Sequence, residues 1–516
     1  MTCSPGGSEV VTPLSPQVAG QRVIDLLPAW LRRHLVVLLG ELGGPLYLAG
    51  GVVRDLLRGV EPADIDLTVR EGARAWAARL AGLSGGAYVE LGRGEDAARV
   101  VSGPVTVDFS AFREGATDIL DELTRRDLTI NAMALRIDPL LRGSGSDCAA
   151  GIDLLDPTGG REDLAAGRIR AAGGDAFTAD PLRLLRVFRF AACLGFTIET
   201  GTLTLVRQQR ALIIAPAPER ISHELDLILA SSQAHRACAE MAETGLLGEI
   251  LPELQAGAGM VQPASHHLDV LGHSLDTLRH MEELIVSPAA RFPGHGERLA
   301  AYLATGRNRV RLKWAALLHD LGKPVTRAVN AERDDRITFH NHDLVGANLF
   351  RAVARRLRWG NDDIEQVARL IGAHMRPFHL ANVARASTLT LRAAIRLVRA
   401  AGDSLPGLLL LAMADALAGQ GPERVTGMEE ELADLYDHLE RVRAEHVAPV
   451  QAGPPLLTGR DLIERLQLVP GPLFRKILTA VEEARMEGAV EDADGALQLA
   501  RSLAAAQGCG PGGSGK

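Results

Sequence analysis

"YLAGGVVRDLLRGVEPADIDLTV", residues 47 to 69, decides how the chain is read. "YLAGG" has the apolar run and closing glycines of a buried strand entering a tight turn, and "VVRDLLRG" has the spacing of a short helix leaving it. Such a corner leaves free backbone N–H groups at the helix start, where an anion can sit. Gly50 and Gly51 lie in the turn, and Arg54 adds a cationic clamp. A glycine pair at a strand–helix turn also serves plain tight packing, so the corner alone does not decide between the two. In "DIDLTV" the period of two places Asp64 and Asp66 on one face and Ile65 and Leu67 on the other. Two carboxylates so close repel unless solvent or a divalent cation separates them, and Mg²⁺ suits carboxylate oxygens together with substrate phosphates. The competing reading is a solvated strand edge.

A third carboxylate stands in "VTVDFSAFR", where Val105, Val107 and Phe109 alternate inward and Asp108 faces the other way. Three carboxylates beside a phosphate-gripping turn are what two-metal phosphoryl or nucleotidyl transfer requires. Around them, residues 45–135 alternate short β-like runs ("PLYLAG", "DIDLTV", "AYVELG", "ARVVSGPVTVDFSAF") with helical ones ("VVRDLLRG", "ARAWAARLAGL"), an α+β pattern. From about residue 161 the pattern is almost wholly helical, in Leu/Ala/Arg-rich runs broken by Pro and Gly.

The 516 residues, 47% hydrophobic and 23% charged, suffice for two or more buried cores. The five cysteines (Cys3, Cys148, Cys193, Cys238, Cys509) form no CxxC pair, so neither a disulfide framework nor a thiolate zinc site is expected. No apolar run near the roughly 18 residues of a bilayer span is read, nor a signal peptide in "MTCSPGGSEVVTPLSPQVAG". The expectation is a cytoplasmic protein without a membrane partner. A net charge of −8 argues against general polyanion binding while leaving room for a local Arg-rich surface.

"GGVVRD…DIDLTV" followed by "RRDLTINAMAL" (125–135) resembles the class II tRNA nucleotidyltransferases, the CCA-adding enzymes, and their bacterial poly(A) polymerase relatives. The resemblance implies that Asp64 and Asp66 bind Mg²⁺, with Asp108 as the third catalytic carboxylate. Gly50, Gly51 and Arg54 would hold the triphosphate, and Arg126, Asp127 and Asn131 would line the ribose and phosphate side. Read from the residues alone, the latter stretch is equally an ordinary salt-bridged helix start. "DPTGGREDLAAGRIR" (156–170) resembles the link from head to neck, and "FTADPLRLLRVFRFAACLGF" (177–196) follows it. There Leu182, Leu185 and Phe188 make one helical stripe, and the spacing predicts Asp180 and Arg183 on another face. In the family these two positions recognise the incoming base. A carboxylate accepts from the exocyclic amine of C or A, and a guanidinium donates to the ring nitrogen. The bland alternative makes Asp180 an N-cap ahead of Pro181. The chain departs from the family in carrying Ala179 where a Glu is usual. "REGATDILDELT" is also shorter than the flexible loop of full CCA-adding members, as in the CC-adding subgroup.

Farther on, "LGHSLDTLRH", "LLHDLGKP", "FHNHDLVGA", "IGAHMRP" and "AMADALA" follow one another in helical sequence. A buried His-Asp pair needs polar partners, which a shared metal supplies. The order resembles the HD phosphohydrolase domain, which implies His273, His319, Asp320 and Asp415 as core ligands, extended to a second metal by His342 and His374. Imidazole and carboxylate ligands suit Mn, Ni, Zn or Mg, and sequence does not choose among them. His280, His295 and His379 are read as structural or surface residues. "LLTGRDLIERLQLVPGPLFRKILTAVEEARMEGAV" (456–490) resembles the family's tRNA-gripping tail. It reads as helix, Pro-Gly turn and helix, with Arg475 and Lys476 near the turn; a hairpin packed on the body is the competing reading.

The expected organisation is a tail (1–20), a nucleotidyltransferase palm (21–160) and an all-α remainder. The latter comprises neck and body (161–265), HD domain (266–420), tRNA-binding tail (421–508) and a last disordered stretch (509–516). The expected function is template-independent addition of C (CC or full CCA) to tRNA from CTP and ATP, with a phosphohydrolase site and no obligate protein partner. The alternatives are a poly(A) polymerase-like or A-adding enzyme, a protein-uridylylating regulator, or an HD hydrolase with an inactive head.

Overall fold

The computed structural model describes residues 22–92, 94–113, 115–142, 153–330 and 336–506, so the expected terminal stretches 1–20 and 509–516 lie outside the described residues. The chain forms two compact units, dividing at Pro252/Glu253. That division falls inside the stretch 161–265, which the sequence reads as one segment.

In the first unit a seven-stranded sheet holds β1 (Leu46–Ala49), β2 (Ile65–Val69), β3 (Ala87–Glu90), β4 (Ala97–Ser102), β5 (Val105–Ala111), β6 (Ala134–Arg136) and β7 (Leu154–Leu155), in the order β3-β4-β5-β2-β1-β6-β7. Only β2 and β5 run parallel; the other neighbours are antiparallel. The apolar run in β1 fits a central strand, and all four of its residues are buried. In β2 and β5 the alternation sends Ile65, Leu67, Val107 and Phe109 into the core, where Trp76 of the helix Ala73–Ser84 stacks on Phe109 at 6.2 Å.

Short helices follow the sheet. The segment after it returns to brace the "RRD" motif: Asp163, buried, accepts from Arg168 Nε (2.6 Å), Arg170 Nε (2.8 Å) and Thr129 Oγ1 (2.6 Å). Thr129 N donates to Arg170 O and Ala172 N to Asp127 O. A Cβ at Gly160 would collide with the Thr129 carbonyl, so the second glycine of "TGGRED" permits this close approach. The helix Arg183–Leu194 then buries Leu184, Leu185, Val187 and Phe188.

The described part of the second unit is predominantly helical. The stretch Leu391–Ala418 is long and apolar enough by composition to cross a membrane, contrary to the sequence expectation, and 78% of its most apolar window is buried inside the protein. It comprises the helices Leu391–Ala401 and Leu405–Ala418, the latter a core helix with Leu408 to Ala414 all buried. The tail has its own core, in which Leu462, Ile477, Val481, Leu497 and Ala500 pack helices Gly459–Glu464, Pro472–Met486 and Ala493–Ala506 together. Its helix–turn–helix arrangement matches the reading of residues 456–490.

Candidate active site and metal centre

The parallel register of β2 and β5 sets Asp66 directly opposite Asp108, and β4 sets Arg99 opposite Asp108 on the other side. Same-row residues share a sheet face, so an acid, an acid and a base line up across three strands, with Asp64 just before β2. Arg99 Nε and Nη2 donate to the Asp108 carboxylate at 2.7 and 2.8 Å, and Nη2 lies 4.0 Å from Asp64 Oδ2. Asp66 is pushed up to about 6 by burial and by the charges of Asp108 and Asp64, against the pull of Arg126 and Arg54. A bound cation favours the charged form of a carboxylate so placed, and an all-oxygen set of this kind suits Mg²⁺. Among the described residues, the metal-donor sets that close to within 4.8 Å all lie in the second unit. The head carboxylates are more widely spread, with Arg99 as the cation facing them.

The glycine corner abuts this row. Gly50 has φ 88° and a Cβ there would stand 2.7 Å from Arg126 Nη1; at Gly51 it would stand 3.7 Å from Asp66 Oδ2. Arg54, buried on the helix Gly51–Arg58, donates from Nη1 to Asn131 Oδ1 (2.7 Å) and from Nε and Nη2 to Asp55 (2.9 and 2.8 Å). Asn131 donates to Asp127 Oδ1 (3.2 Å), which also accepts from Leu128 N (2.8 Å). Burial opposes ionisation of Asp127, yet the charge and hydrogen bond of Arg186 outweigh it and hold the carboxyl well below its usual range. Arg126 reaches Thr68 Oγ1 (3.2 Å) and sits 3.5 Å from Glu122 Oε1; burial pulls its pKa down. The structure thus joins Gly50, Gly51, Arg54, Arg126, Asp127 and Asn131 in one connected group beside Asp66.

Asp180 and Arg183 do not share a helix face as expected. The helix begins at Arg183, and Asp180 is extended (φ −147°, ψ 102°) because the ring of Pro181 disfavours helical backbone before it. Its carboxylate accepts from Leu182 N (3.2 Å) and from Arg220 Nη2 (3.1 Å). Arg183 Nη1 donates to the carbonyls of Arg125 (3.0 Å) and Ala176 (3.1 Å), tying the neck helix to the "RRD" backbone.

Three participants escaped the sequence reading. Arg99 shares the period-two face of Asp108, a signal present in "ARVV" once the strand pairing is known. Arg186 grips Asp127 through Nε (2.8 Å) and Nη2 (2.6 Å). Phe190 receives the guanidiniums of Arg54, Arg186 and Arg189 at 5.1, 5.3 and 4.2 Å from its ring centre.

In the second unit the six expected ligands converge. His273 lies on the helix Val270–Val286, His319 caps the helix Gly306–Leu318, and Asp320 follows it. His342 opens the helix His342–Arg356, His374 caps Asn361–Ala373, and Asp415 lies on Leu405–Ala418. Asp320 Oδ2 is 3.2 Å from His319 Nε2 and 3.7 Å from His273 Nε2, while its Oδ1 is 3.4 Å from His342 Nε2 and 3.9 Å from His374 Nε2. His273 Nε2 is 3.0 Å from Asp415 Oδ1. Three rings are fixed from behind: Nδ1 of His319, His342 and His374 meets the carbonyls of Ala316, Phe339 and Ile371 at 2.9, 2.8 and 2.7 Å. That arrangement directs each Nε2 lone pair inward, as in metal-binding histidines. His319 Nε2 and Asp320 Oδ1 are buried without a hydrogen-bond partner, as atoms that face a metal ion are. His374 is lowered to about 4 by burial and by His319 and His342, so its imidazole is neutral. Lys323 Nζ lies 2.6 Å from Asp320 Oδ2 and donates to Gln262 Oε1 at 2.6 Å. The donor set fits a divalent transition ion or Mg²⁺, and Asp320, shared between two groups of donors, fits a pair of them. His280 and His295 are engaged instead by Glu283 and Asp437.

A mixed sheet carrying a carboxylate row beside a glycine corner, joined to helical segments, defines a nucleotidyltransferase head on a helical body. The poly A polymerase head domain matches residues 46–170, the probable RNA and SrmB-binding site of polymerase A matches 195–257, and the HD domain matches 270–420. The A-adding tRNA nucleotidyltransferase of Deinococcus radiodurans is 37% identical over 86% of this chain and 92% of its own length. The CC-adding tRNA nucleotidyltransferase of Thermus thermophilus is 31% identical over 86% of this chain and 89% of its own. The Thermotoga maritima CCA-adding enzyme complexed with tRNA shares the fold with TM-score 0.57 at 18% identity, covering 96% of this chain and 97% of that one. The chain belongs to the tRNA nucleotidyltransferase family.

Proposed function

We propose that this protein extends the 3′ end of tRNA without a template, and that its nucleotide is A, transferred from ATP to a tRNA already ending in CC. The observation that carries nucleotidyl transfer is Asp66 opposite Asp108 beside the Gly50–Gly51 corner. The choice of A is supported by the 37% identity to an A-adding relative, against 31% to a CC-adding one over the same share of this chain. Addition of CC is the second reading, favoured by the short connection between β5 and the helix Ile119–Thr124.

On this reading the 3′ hydroxyl of the tRNA attacks the α-phosphate and pyrophosphate leaves. Asp64, Asp66 and Asp108 are the residues to hold Mg²⁺, which when bound neutralises charge on the triphosphate and the reacting oxygens. The Gly50–Gly51 backbone, Arg54 and Arg126 receive the triphosphate, and Asp127 and Asn131 the ribose side. Asp180 and Arg183 read the base, for which Asp180 exchanges its Arg220 partner for an exocyclic amine. The head spans 21–160, neck and body 161–265, the HD domain 266–420 and a tRNA-binding tail 421–508, in a cytoplasmic enzyme. His273, His319, Asp320, His342, His374 and Asp415 hold the ions of a phosphohydrolase site.

Purified protein incubated with tRNAs ending at the discriminator base or in CC, with CTP and ATP separately and together, tests the specificity. Growth by one nucleotide only on the CC-ended tRNA with ATP is expected. Growth by two with CTP selects the second reading, and growth by three overturns both. Unchanged addition by Asp66→Ala would remove the assignment of the head.

A further inference from the structure

Two adjacent histidines, His266 and His267, lie just ahead of the helix that carries His273, and neither belongs to the six ligands that the sequence pattern implies. The structure separates them. His267 is exposed, whereas the His266 ring turns inward and meets the His273 ring edge-on, with centroids 4.7 Å apart. One donor atom each from His266, His273 and Asp415 lie within 4.8 Å of one another, the same closeness that gathers the six expected ligands. The ring of His266 is also held from behind, its Nδ1 standing 3.0 Å from Ser265 Oγ, which leaves Nε2 as the nitrogen available to a further partner.

This loop is built into the site. Gly421 N donates to Ser265 O at 2.9 Å and Glu423 N to Ala264 O at 3.1 Å, so the stretch before His266 is stitched to the segment that follows the Asp415 helix. A side chain at Gly421 would collide with the Ala264 carbonyl and the Ser265–His266 peptide. On the other flank, Gln262 of the same loop holds Lys323, which grips Asp320. The loop is therefore fastened both to the Asp415 strut and to the His-Asp pair, with His266 between them.

We propose that His266 is a seventh protein ligand of the metal centre, binding the ion at the His273–Asp415 corner. The inference rests on the reading of the six-residue cluster as a metal site. A neutral imidazole added at this corner supplies a second nitrogen donor beside the His273 ring and the single Asp415 carboxylate. That shifts the preference of the corner from Mg²⁺ toward a transition ion. Lys323, Asp320, His273 and Asp415 are the charged and titratable groups around it.

The test uses the full chain stripped with a chelator, then titrated with Mn²⁺ or Co²⁺ in equilibrium dialysis, counting ions bound and their affinities. Wild type, His266→Gln, His266→Ala and His267→Ala are compared, with thermal melting of each ion-free protein as the folding control; the glutamine variant keeps the side-chain bulk if the alanine variant unfolds. The expected result is weakening of one bound ion by roughly 10–100-fold in the His266 variants, together with a changed Co²⁺ absorption band, and no change in His267→Ala. Identical ion number, affinity and spectrum in a folded His266 variant would overturn the proposal while leaving the six-residue site intact. A wild-type chain that binds no ion would overturn the metal-centre reading and this inference with it.

Discussion

Arg99 and Asp108 stand opposite each other on β4 and β5, and the guanidinium closes on the carboxylate through two hydrogen bonds of 2.7 and 2.8 Å. The same guanidinium lies 4.0 Å from Asp64. Without a metal, this cation balances part of the negative row. On the proposed reading, Arg99 and the metal compete for the Asp108 oxygens.

Replacing Arg99 by Gln removes the competitor. The half-saturating Mg²⁺ concentration for nucleotide addition should then fall about 2–10-fold, a modest effect because a partly exposed ion pair contributes little. Magnesium titration of addition at saturating ATP and tRNA reads this directly. A rise in the Mg²⁺ requirement would instead mean that Arg99 helps to organise the carboxylates for the ion.

Asp66 gives a pH dependence of definite sign. Its folded-state value, pushed up to about 6, exceeds the roughly 3.9 of an unfolded aspartate, so the folded metal-free protein holds a proton that the unfolded chain releases. The group therefore favours folding below about pH 4 and loses that contribution as pH rises through about 6. Relative to Asp66→Asn, the metal-free wild type should lose melting temperature between pH 5 and pH 7, and saturating Mg²⁺ should abolish the difference. For the same reason, addition at limiting Mg²⁺ should fall as pH drops through about 6, with the midpoint moving lower as Mg²⁺ is raised.

Much of this arrangement was legible in the sequence because it depends on short periods. Alternation in "DIDLTV" and "VTVDFSAF" assigns the inward and outward faces, and the glycines before "VVRD" mark the turn. The His-Asp order locates the second cluster through its resemblance to the HD domain, whereas burial cost by itself says only that His319 and Asp320 need polar partners. Pairings between distant strands were hidden: nothing near Arg99 says that it faces Asp108 rather than solvent. Asp180 was misplaced because helical spacing was extended through Pro181, whose steric effect on the preceding residue ends the helix there. His266 and His267 are equivalent in sequence and differ only in where the loop turns.

Arg186 supports the "RRD" motif from the neck helix. Asp127 is buried and held well below its usual pKa against the cost of burial, so removing Arg186 strands a charge. Arg186→Ala should destabilise the protein by about 2–4 kcal/mol, somewhat below a fully enclosed pair because Arg186 is partly exposed. Arg186→Lys keeps the charge but not the two-pronged contact and should recover part of the loss. Urea denaturation of both variants checks the magnitude. Since Asp127 is depressed in the folded state, its contribution is present above about pH 4 and is lost as pH falls through its low folded value. The penalty of Arg186→Ala should accordingly shrink in acid.

Gly322 separates nucleotide addition from the proposed hydrolysis most cleanly. It lies between Asp320 and Lys323, and a Cβ there would collide with the backbone carbonyl of His342 and stand 2.7 Å from Gly346 N. These are main-chain atoms of the helix that presents His342, so the clash cannot be relieved by turning a side chain. The helix must move, taking Nε2 of His342 away from Asp320 Oδ1, now 3.4 Å distant. Gly322→Ala should cost about 1–3 kcal/mol in stability, as overpacking does, and should weaken metal binding by the pair Asp320 and His342. On the proposed reading, phosphohydrolysis of a nucleotide or RNA 3′-end substrate should drop at least tenfold, because Asp320 belongs to both groups of donors. Addition of nucleotides to tRNA depends on residues of the other unit and should persist near the wild-type rate below the melting temperature of the variant. Assaying both reactions on one preparation distinguishes this outcome from general unfolding, which would remove both in parallel.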